Sequence, residues 1–519
     1  MYLTQALHRA VQQFPDRAAV RFLGKQRSYR EFAERVARLA GALQQLGMRP
    51  GDRVGMLGLN SDLYLEYQMG VVWGGGALNP CNIRWSPAEI AYSLDDCDTQ
   101  ILLVDAMFAP MVEKLRASSK VLREVIYCGD GATPAAMHSY EALLEASAPV
   151  PDAGRNGNDL AGVFYTGGTT GHPKGVMLSH ANLYFMAMVL VFEGATYEGA
   201  TYLHAAPMFH LADYGATVGS WFAGSTHSII PMYSPEAVLQ AIERDQVNIV
   251  TLVPTMIQML LDHPSAQQAR DLSSLRKVIY GASPISEAVL DRALAAFKGV
   301  EFLQAYGMTE VTSGATILKP WYHTAEGRKL GKLRSAGRAN CIVEIRIVDP
   351  LDQEVPRGTV GEILIKGPGV MLGYWNKPQE TAQALRGGWM HTGDGGYMDA
   401  DGFVFIADRL KDMIISGGEN VYSAEVENAI SQHPAVAAVA VIGIPSEKWG
   451  ESVHAAVVCK PAQVVTQEDL IAYCKQLIAG YKCPRSVDFV AALPLSGAGK
   501  VLKTKLREPY WQGKQRGVA

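Results

Sequence analysis

The chain has 519 residues, 48% of them hydrophobic and 19% charged, with a formal net charge of −4. That length exceeds what one ordinary core supports, so two or more domains are expected, and the composition is that of a globular protein with large buried sheets. The near-neutral charge excludes general nucleic-acid affinity. The seven cysteines are scattered and form no CxxC pair, which excludes a structural zinc framework and indicates reduced thiols in a cytoplasmic protein.

The N-terminal stretch MYLTQALHRAVQQFPDRAAV patterns as an amphipathic helix and lacks a signal peptide's apolar run. From Arg53 to about Leu318, strand-like apolar runs alternate with helical patterns, which predicts α/β layering. The runs include 53–59, 101–105, 125–128, 248–253 and 277–282; helical spacing marks 235–244 and 286–297. The apolar stretch from Tyr184 to Phe192 is far below the ~20 residues that a membrane span requires. From Val343 the pattern changes: EIRIVD, GEILIKG and FVFIADR read as antiparallel strands between Gly/Asp/Pro turns, as in a small barrel. After Arg409 a third regime predicts a helix over 423–432, strands over 436–442 and 454–459, and a helix over 467–479. The fold class is therefore α/β: a large N-terminal domain of layered sheets with a small β-barrel-like subdomain (1–410) and a small mobile α+β C-terminal domain (411–519), divided at Asp408–Asp412.

The stretch 165–175, YTGGTTGHPKG, places Gly167, Gly168 and Gly171 among Thr166, Thr169, Thr170 and Lys174. Glycines let backbone N–H groups turn inward to make an anion cradle, the threonines add hydroxyls and Lys174 adds a full charge, which is chemistry for gripping a polyphosphate. It follows the apolar, β-prone 161–165 and is not a Walker A loop, because no Gly-Lys-Ser/Thr stands at the required spacing. Further along, Gln304-Ala305-Tyr306-Gly307-Met308-Thr309-Glu310 offers a flat ring for a purine, a hydroxyl for phosphate and a hard oxygen for Mg2+. Asp394, in Thr392-Gly393-Asp394, is suited to accept from both ribose hydroxyls. The run Asp408-Arg409-Leu410-Lys411-Asp412 is highly charged, and Asp408 and Asp412 read as solvated linker residues. Gly417 and Gly418 leave backbone that a slender group can approach closely. Lys500 sits on a Gly-rich loop nineteen residues from the end.

In these motifs the chain resembles the acyl-adenylate-forming superfamily of acyl-CoA synthetases, peptide-synthetase adenylation domains and beetle luciferases, from Ser28-Tyr29 to Leu506. One departure is Gly167, where many members carry serine. The resemblance implies a reaction in two halves, in which a carboxylate attacks Mg·ATP to give acyl-AMP and pyrophosphate, and the thiol of coenzyme A then displaces AMP. It assigns Thr309 to the α-phosphate, Glu310 and Thr169 to the metal, and Lys174 and Lys500 to the anions that meet in the reaction. Nucleotide contacts extend to Gly281, Ala282, Ser283 and the 304–307 segment, with Asp394 and Arg409 on ribose. Lys411 becomes the pivot of a rotating C-terminal domain, and Gly417, Gly418, Trp449, Lys482 and Arg485 face coenzyme A.

By the same resemblance the acyl pocket lies among His210, Tyr214, Gly215, Trp221, Tyr233, Gly281, Ala282, Ala305, Gly307 and Met308. Gly and Ala there are expected to make room, and Met308 to adapt its shape. No Arg or Lys stands in these stretches, which argues against a second carboxylate on the substrate. Medium- or long-chain fatty acids are the first expectation, and aryl acids of the cinnamate or benzoate type the second. His210 after Phe209, where amino-acid-activating domains carry aspartate, argues against a peptide-synthetase domain. Three rival functions share the same motifs: a stand-alone adenylating enzyme, a luciferase-like oxygenase and a non-enzymatic nucleotide-binding module. Glu310, Asp394 and Lys500 together oppose the last of these. Peripheral membrane contact and a homodimer are both compatible with the sequence.

Overall fold

The computed structural model describes residues 1–166, 173–267, 270–283, 285–409, 412–416, 419–461, 463–496 and 499–512. Two large sheets build the N-terminal domain. One runs in the order Arg338–Ala339, Thr316–Leu318, Glu301–Tyr306, Lys277–Gly281, Ile249–Leu252, Thr201–His204, Thr226–Ile229, Ala18–Phe22, Lys25–Ser28. Its central strands are parallel and antiparallel pairs close both edges. The other runs Gly373–Tyr374, Lys174–Ser179, Leu160–Thr166, Ala77–Pro80, Arg53–Leu57, Thr99–Val104, Glu124–Tyr127, His138–Ser139. Strands such as Ile249–Leu252 are buried at every residue, as parallel strands covered on both faces must be.

Helix starts are written locally. Ser28 with Glu31 and Ser86 with Glu89 form reciprocal capping boxes, each cap contributing ~1 kcal/mol. The helix Asp62–Trp73 is buried on nearly all sides, so its acids must be partnered: Glu66, fully buried, accepts from Arg35 Nε at 2.7 Å and from the Tyr140 hydroxyl at 2.6 Å. Burial still pushes the Glu66 carboxyl above its ordinary pKa.

A third, antiparallel sheet runs Glu344–Val348, Gly361–Lys366, Met390–Met398, Val404–Arg409. The strand Met390–Met398 was not among the strands expected from sequence; it inserts between GEILIKG and FVFIADR and carries Asp394 in its middle. One apolar core joins the three sheets, taking in Val20, Ile229, Val54, Leu103, Ile347 and Val404. The small C-terminal domain has a separate core, including Ile414, Val441, Val457 and Leu470, around a sheet in which Gly450–Cys459 pairs with Val436–Ser446, Ile414–Ser416 and Ser486–Phe489. Among the described residues no helix is long and apolar enough to cross a membrane.

Candidate active site

Strands Lys277–Gly281 and Glu301–Tyr306 are parallel neighbours with Gly281 opposite Ala305, so the segments leaving them emerge at one sheet edge. Beyond the carboxyl ends of parallel strands is where such sheets bind ligands. A Cβ on Gly281 would fall 2.0 Å from the Ala305 carbonyl oxygen, and one on Gly307 2.1 Å from that of Ser313. Backbone packing therefore requires glycine at these two positions by itself, so their lack of a side chain is no evidence of space for an acyl group; a Cβ on Gly215 would fall 2.6 Å from the Ser313 hydroxyl. Ala282, Thr312 and Ser313 adopt left-handed φ of 65°, 57° and 77°, local strain clustered around the predicted adenine and phosphate segments. Gly281→Ala should part the two strands and cost roughly 1–3 kcal/mol. Urea unfolding together with the ATP dependence of pyrophosphate release checks this; unchanged values in both would show that the strands accommodate a methyl group.

Asp394 is nearly buried and lies directly across the strand pair from Arg409, so two residues that sequence assigned to ribose form one cross-strand pair. Tyr306, expected to offer its ring, also donates its hydroxyl to Asp394 Oδ2 at 2.8 Å. The Asp394 amide donates to Thr392 Oγ1 at 3.0 Å, and that hydroxyl donates to the Ile363 carbonyl at 2.7 Å, which anchors the turn around Gly393.

Thr166 and Lys174 face each other across the hairpin formed by strands Leu160–Thr166 and Lys174–Ser179. Gly167, Gly168, Thr169, Thr170 and Gly171, which fill the gap between them, lie outside the described residues. Thr309 and Glu310 begin a short turn, Thr309–Val311, after the strand that carries Gln304, Ala305 and Tyr306. Glu310 is 6% exposed, and its Oε1 accepts from the Tyr374 hydroxyl at 2.9 Å. The Lys174 ammonium stands 5.0 Å from the centre of the same Tyr374 ring. Sequence reasoning missed Tyr374, and also Tyr165, whose hydroxyl donates to Asp96 Oδ2 at 2.6 Å. The Glu310 carboxylate and the adjacent Thr309 hydroxyl are oxygen donors of the kind a hard divalent cation takes, and the Lys174 ammonium adds positive charge suited to phosphate.

Of the expected acyl-pocket residues, Tyr214, Gly215 and Trp221 lie in the helix Leu211–Ala223, for which His210 is the N-cap. That helix is pinned to the sheet by a buried chain in which Asp213 meets His204 Nδ1 at 2.8 Å and His204 Nε2 meets His227 Nδ1 at 2.8 Å. Tyr214 is 3% exposed and stacks on Phe164, with centroids 5.5 Å apart. Trp221 stacks on Phe32 at 4.8 Å and belongs to the core. The void bounded by Tyr214, Val218, Trp221, Met69 and Leu3 measures about 10 Å3, room for no more than one water. Tyr233 gives its hydroxyl to the Met256 carbonyl, and Met308 packs half-buried on the core. Ser283 is half-buried beside Ala282.

Lys500 is presented by a tight turn in which its amide donates to Ser496 Oγ at 3.1 Å and the Ser496 amide donates to the Lys500 carbonyl at 2.7 Å. That turn rests on the large domain: Arg84 Nη1 donates to the Ser496 carbonyl at 2.7 Å, and Thr255 Oγ1 to that of Gly499 at 3.4 Å. Lys411, Gly417 and Gly418 lie outside the described residues. Asp412 is not the solvated linker charge expected from sequence. Its carboxylate pairs with Arg507, and the two side chains are only 14% and 10% exposed. Trp449, in the turn before Gly450, has Arg485 4.6 Å from its ring centre. Lys482, expected to meet phosphates, is held by both oxygens of Glu425 at 2.8 Å.

Tyr306 thus joins Asp394, Tyr374 joins Glu310 to Lys174, and the turn that presents Lys500 rests on the large domain, a charged and polar set suited to a nucleotide-using ligase. The sequence profile of the AMP-binding enzyme family matches residues 7–375, and that of the AMP-binding enzyme C-terminal domain matches residues 425–500. A feruloyl-CoA synthase of an Amycolatopsis species is 39% identical over 497 residues, covering 96% of each chain. The long-chain-fatty-acid–CoA ligase FadD13 of Mycobacterium tuberculosis is 35% identical over 474 residues, covering 91% of each. The crystal structure of the anthranilate CoA ligase AuaEII with anthranoyl-AMP superposes with a TM-score of 0.90 at 26% identity, covering 98% of this chain and 97% of that one. The chain belongs to the AMP-binding enzyme family. It is an acid–thiol ligase that uses ATP and coenzyme A and works through an acyl-adenylate.

Proposed function

We propose that the acid activated is a compact aryl acid of the cinnamate or benzoate type, in preference to a medium- or long-chain fatty acid. The observation that carries this reading is the 39% identity with a feruloyl-CoA synthase over 96% of each chain, against 35% with the long-chain-fatty-acid–CoA ligase, and the structural likeness to an anthranilate CoA ligase supports the same choice. Tyr214, held flat by its stacking on Phe164, is an aromatic side chain of the kind that suits a planar ring.

In the first half-reaction, Lys174 and Lys500 supply positive charge where two anions are brought together, and Asp394 holds the ribose so that the α-phosphorus faces the acid carboxylate. Glu310 and Thr169 would hold Mg2+, which neutralises phosphate charge when bound. In the second half-reaction, the Gly417–Gly418 backbone and Trp449 would line the approach of the coenzyme A thiol, and Lys411 would be the pivot that brings them in. Lys482 contributes to that surface through Glu425 rather than as a free cation.

Thioester formation from octanoate, palmitate, ferulate and benzoate tests the choice of acid. Ferulate or benzoate should exceed palmitate in kcat/KM by roughly tenfold or more, the discrimination a shaped pocket provides. Higher kcat/KM for palmitate would restore the fatty-acid reading.

A further inference from the structure

We propose that Tyr374 is a positioning residue for the adenylation half-reaction: it is the brace that sets Glu310 and Lys174 relative to each other. The inference rests on the roles given above to Glu310 and Lys174 and adds a third residue to them. The Tyr374 hydroxyl donates to Glu310 Oε1 at 2.9 Å, while the ring face receives the Lys174 ammonium at 5.0 Å. One side chain therefore touches both the predicted metal-side carboxylate and the predicted phosphate-side cation. A hydrogen bond to an ionised carboxylate is among the stronger neutral-to-charged contacts, and an ammonium over a phenol ring adds a second, independent attraction.

The backbone makes this brace stiff. The Met371 amide donates to the carbonyl of Glu310 itself at 2.9 Å. The strand Gly373–Tyr374 then pairs with the strand that Lys174 begins, Tyr374 opposite Val176, and the Trp375 amide donates to the Gly175 carbonyl at 2.7 Å. The Tyr374 amide is taken by Thr381 Oγ1 at 2.9 Å. Within five residues the segment is thus tied to Glu310, to the Lys174 strand and to the helix Pro378–Ala384, which carries Thr381.

If Tyr374 only filled space, phenylalanine would replace it. As a brace, it orients the Glu310 carboxylate through the hydroxyl and seats Lys174 through the ring, so the two contributions separate by substitution. Tyr374→Phe keeps the ring and loses the donor; Tyr374→Leu loses both.

The experiment measures each variant in both half-reactions, acyl-AMP formation from acid and ATP, and thioester formation from synthetic acyl-AMP and coenzyme A. Mg2+ titrations of the first half and calorimetric titration with Mg·ATP accompany them. Tyr374→Phe should slow adenylation roughly 10- to 100-fold, in line with loss of a hydrogen bond to a charged group. It should also shift the Mg2+ requirement upward, weaken Mg·ATP binding, and leave the second half near wild type. Tyr374→Leu should raise the KM for ATP further. Equal losses in both halves, no loss in either, or an unmoved Mg2+ requirement would overturn the proposal. Glu310→Gln serves as the reference. If it adenylates normally, the role of Glu310 itself fails. If it is impaired and Tyr374→Phe is not, only the brace fails. The double variant should be no slower than Glu310→Gln alone.

Discussion

Lys500→Ala should lose most acyl-AMP formation while retaining conversion of supplied acyl-AMP to the thioester. The lysine stands on a turn whose two ends are closed by Ser496, and the turn is set on the large domain by Arg84 and Thr255. The lysine loop is therefore set against the large domain, as the role proposed for it in adenylation requires. Negative charge accumulates as the carboxylate oxygen meets the α-phosphorus, and a preorganised cation there is worth ~3 kcal/mol or more, about 10²- to 10³-fold in rate. The thioester step exchanges a thiol for AMP on an uncharged carbonyl carbon and needs no such cation at that place. Single-turnover kinetics on the two halves decide the matter. A comparable loss in both would remove Lys500 from its assigned role and make the loop a structural contact.

Much of this site was legible because its chemistry is carried by glycine spacing and by short runs of polar residues. Gln304 to Glu310, Thr392 to Asp394 and the Lys500 loop can each be read without knowing their neighbours. Other parts depend on partners far away in the chain. Tyr374 meets Glu310 across 64 positions, and Asp412 meets Arg507 across 95. No local pattern announces either contact, and a charged residue in a charged segment reads as solvated until its partner is known. Gly281 and Gly307 show the same limit from the opposite side. Their missing side chains suggest space, but the carbonyls of Ala305 and Ser313 already occupy it. The strand Met390–Met398 contains Gly393, Gly395 and Gly396, which lowers its intrinsic β preference. Pairing on both sides, with Gly361–Lys366 and Val404–Arg409, holds it extended all the same.

Lys411→Pro should leave adenylation near its normal rate and slow thioester formation by ~100-fold, about 2.7 kcal/mol. On the proposed reading, the two half-reactions require different groups to face the same acyl-AMP, and the small domain turns between them. Arg507 extends from the helix Lys503–Trp511, which begins three residues after Lys500, and its ion pair with Asp412 ties the chain just past the pivot to the C-terminal domain. Breaking a pair this buried by removing one partner would cost roughly 3–5 kcal/mol, so Asp412 moves with the small domain. On the other flank, Arg409 is paired in register with Asp394 and stays with the large domain. On that reading the turn falls between these two anchors. Proline at 411 fixes φ near −65° and also restricts the residue before it, removing freedom from this short interval. The docked Lys500 turn shows which arrangement a stiffened linker would keep. Rapid-quench measurement of acyl-AMP and acyl-CoA in one turnover gives both rates. If the proline variant ran both halves at wild-type speed, rotation about Lys411 would be no part of the cycle, and the groups for the second half would have to reach the acyl-AMP with the domain where it stands.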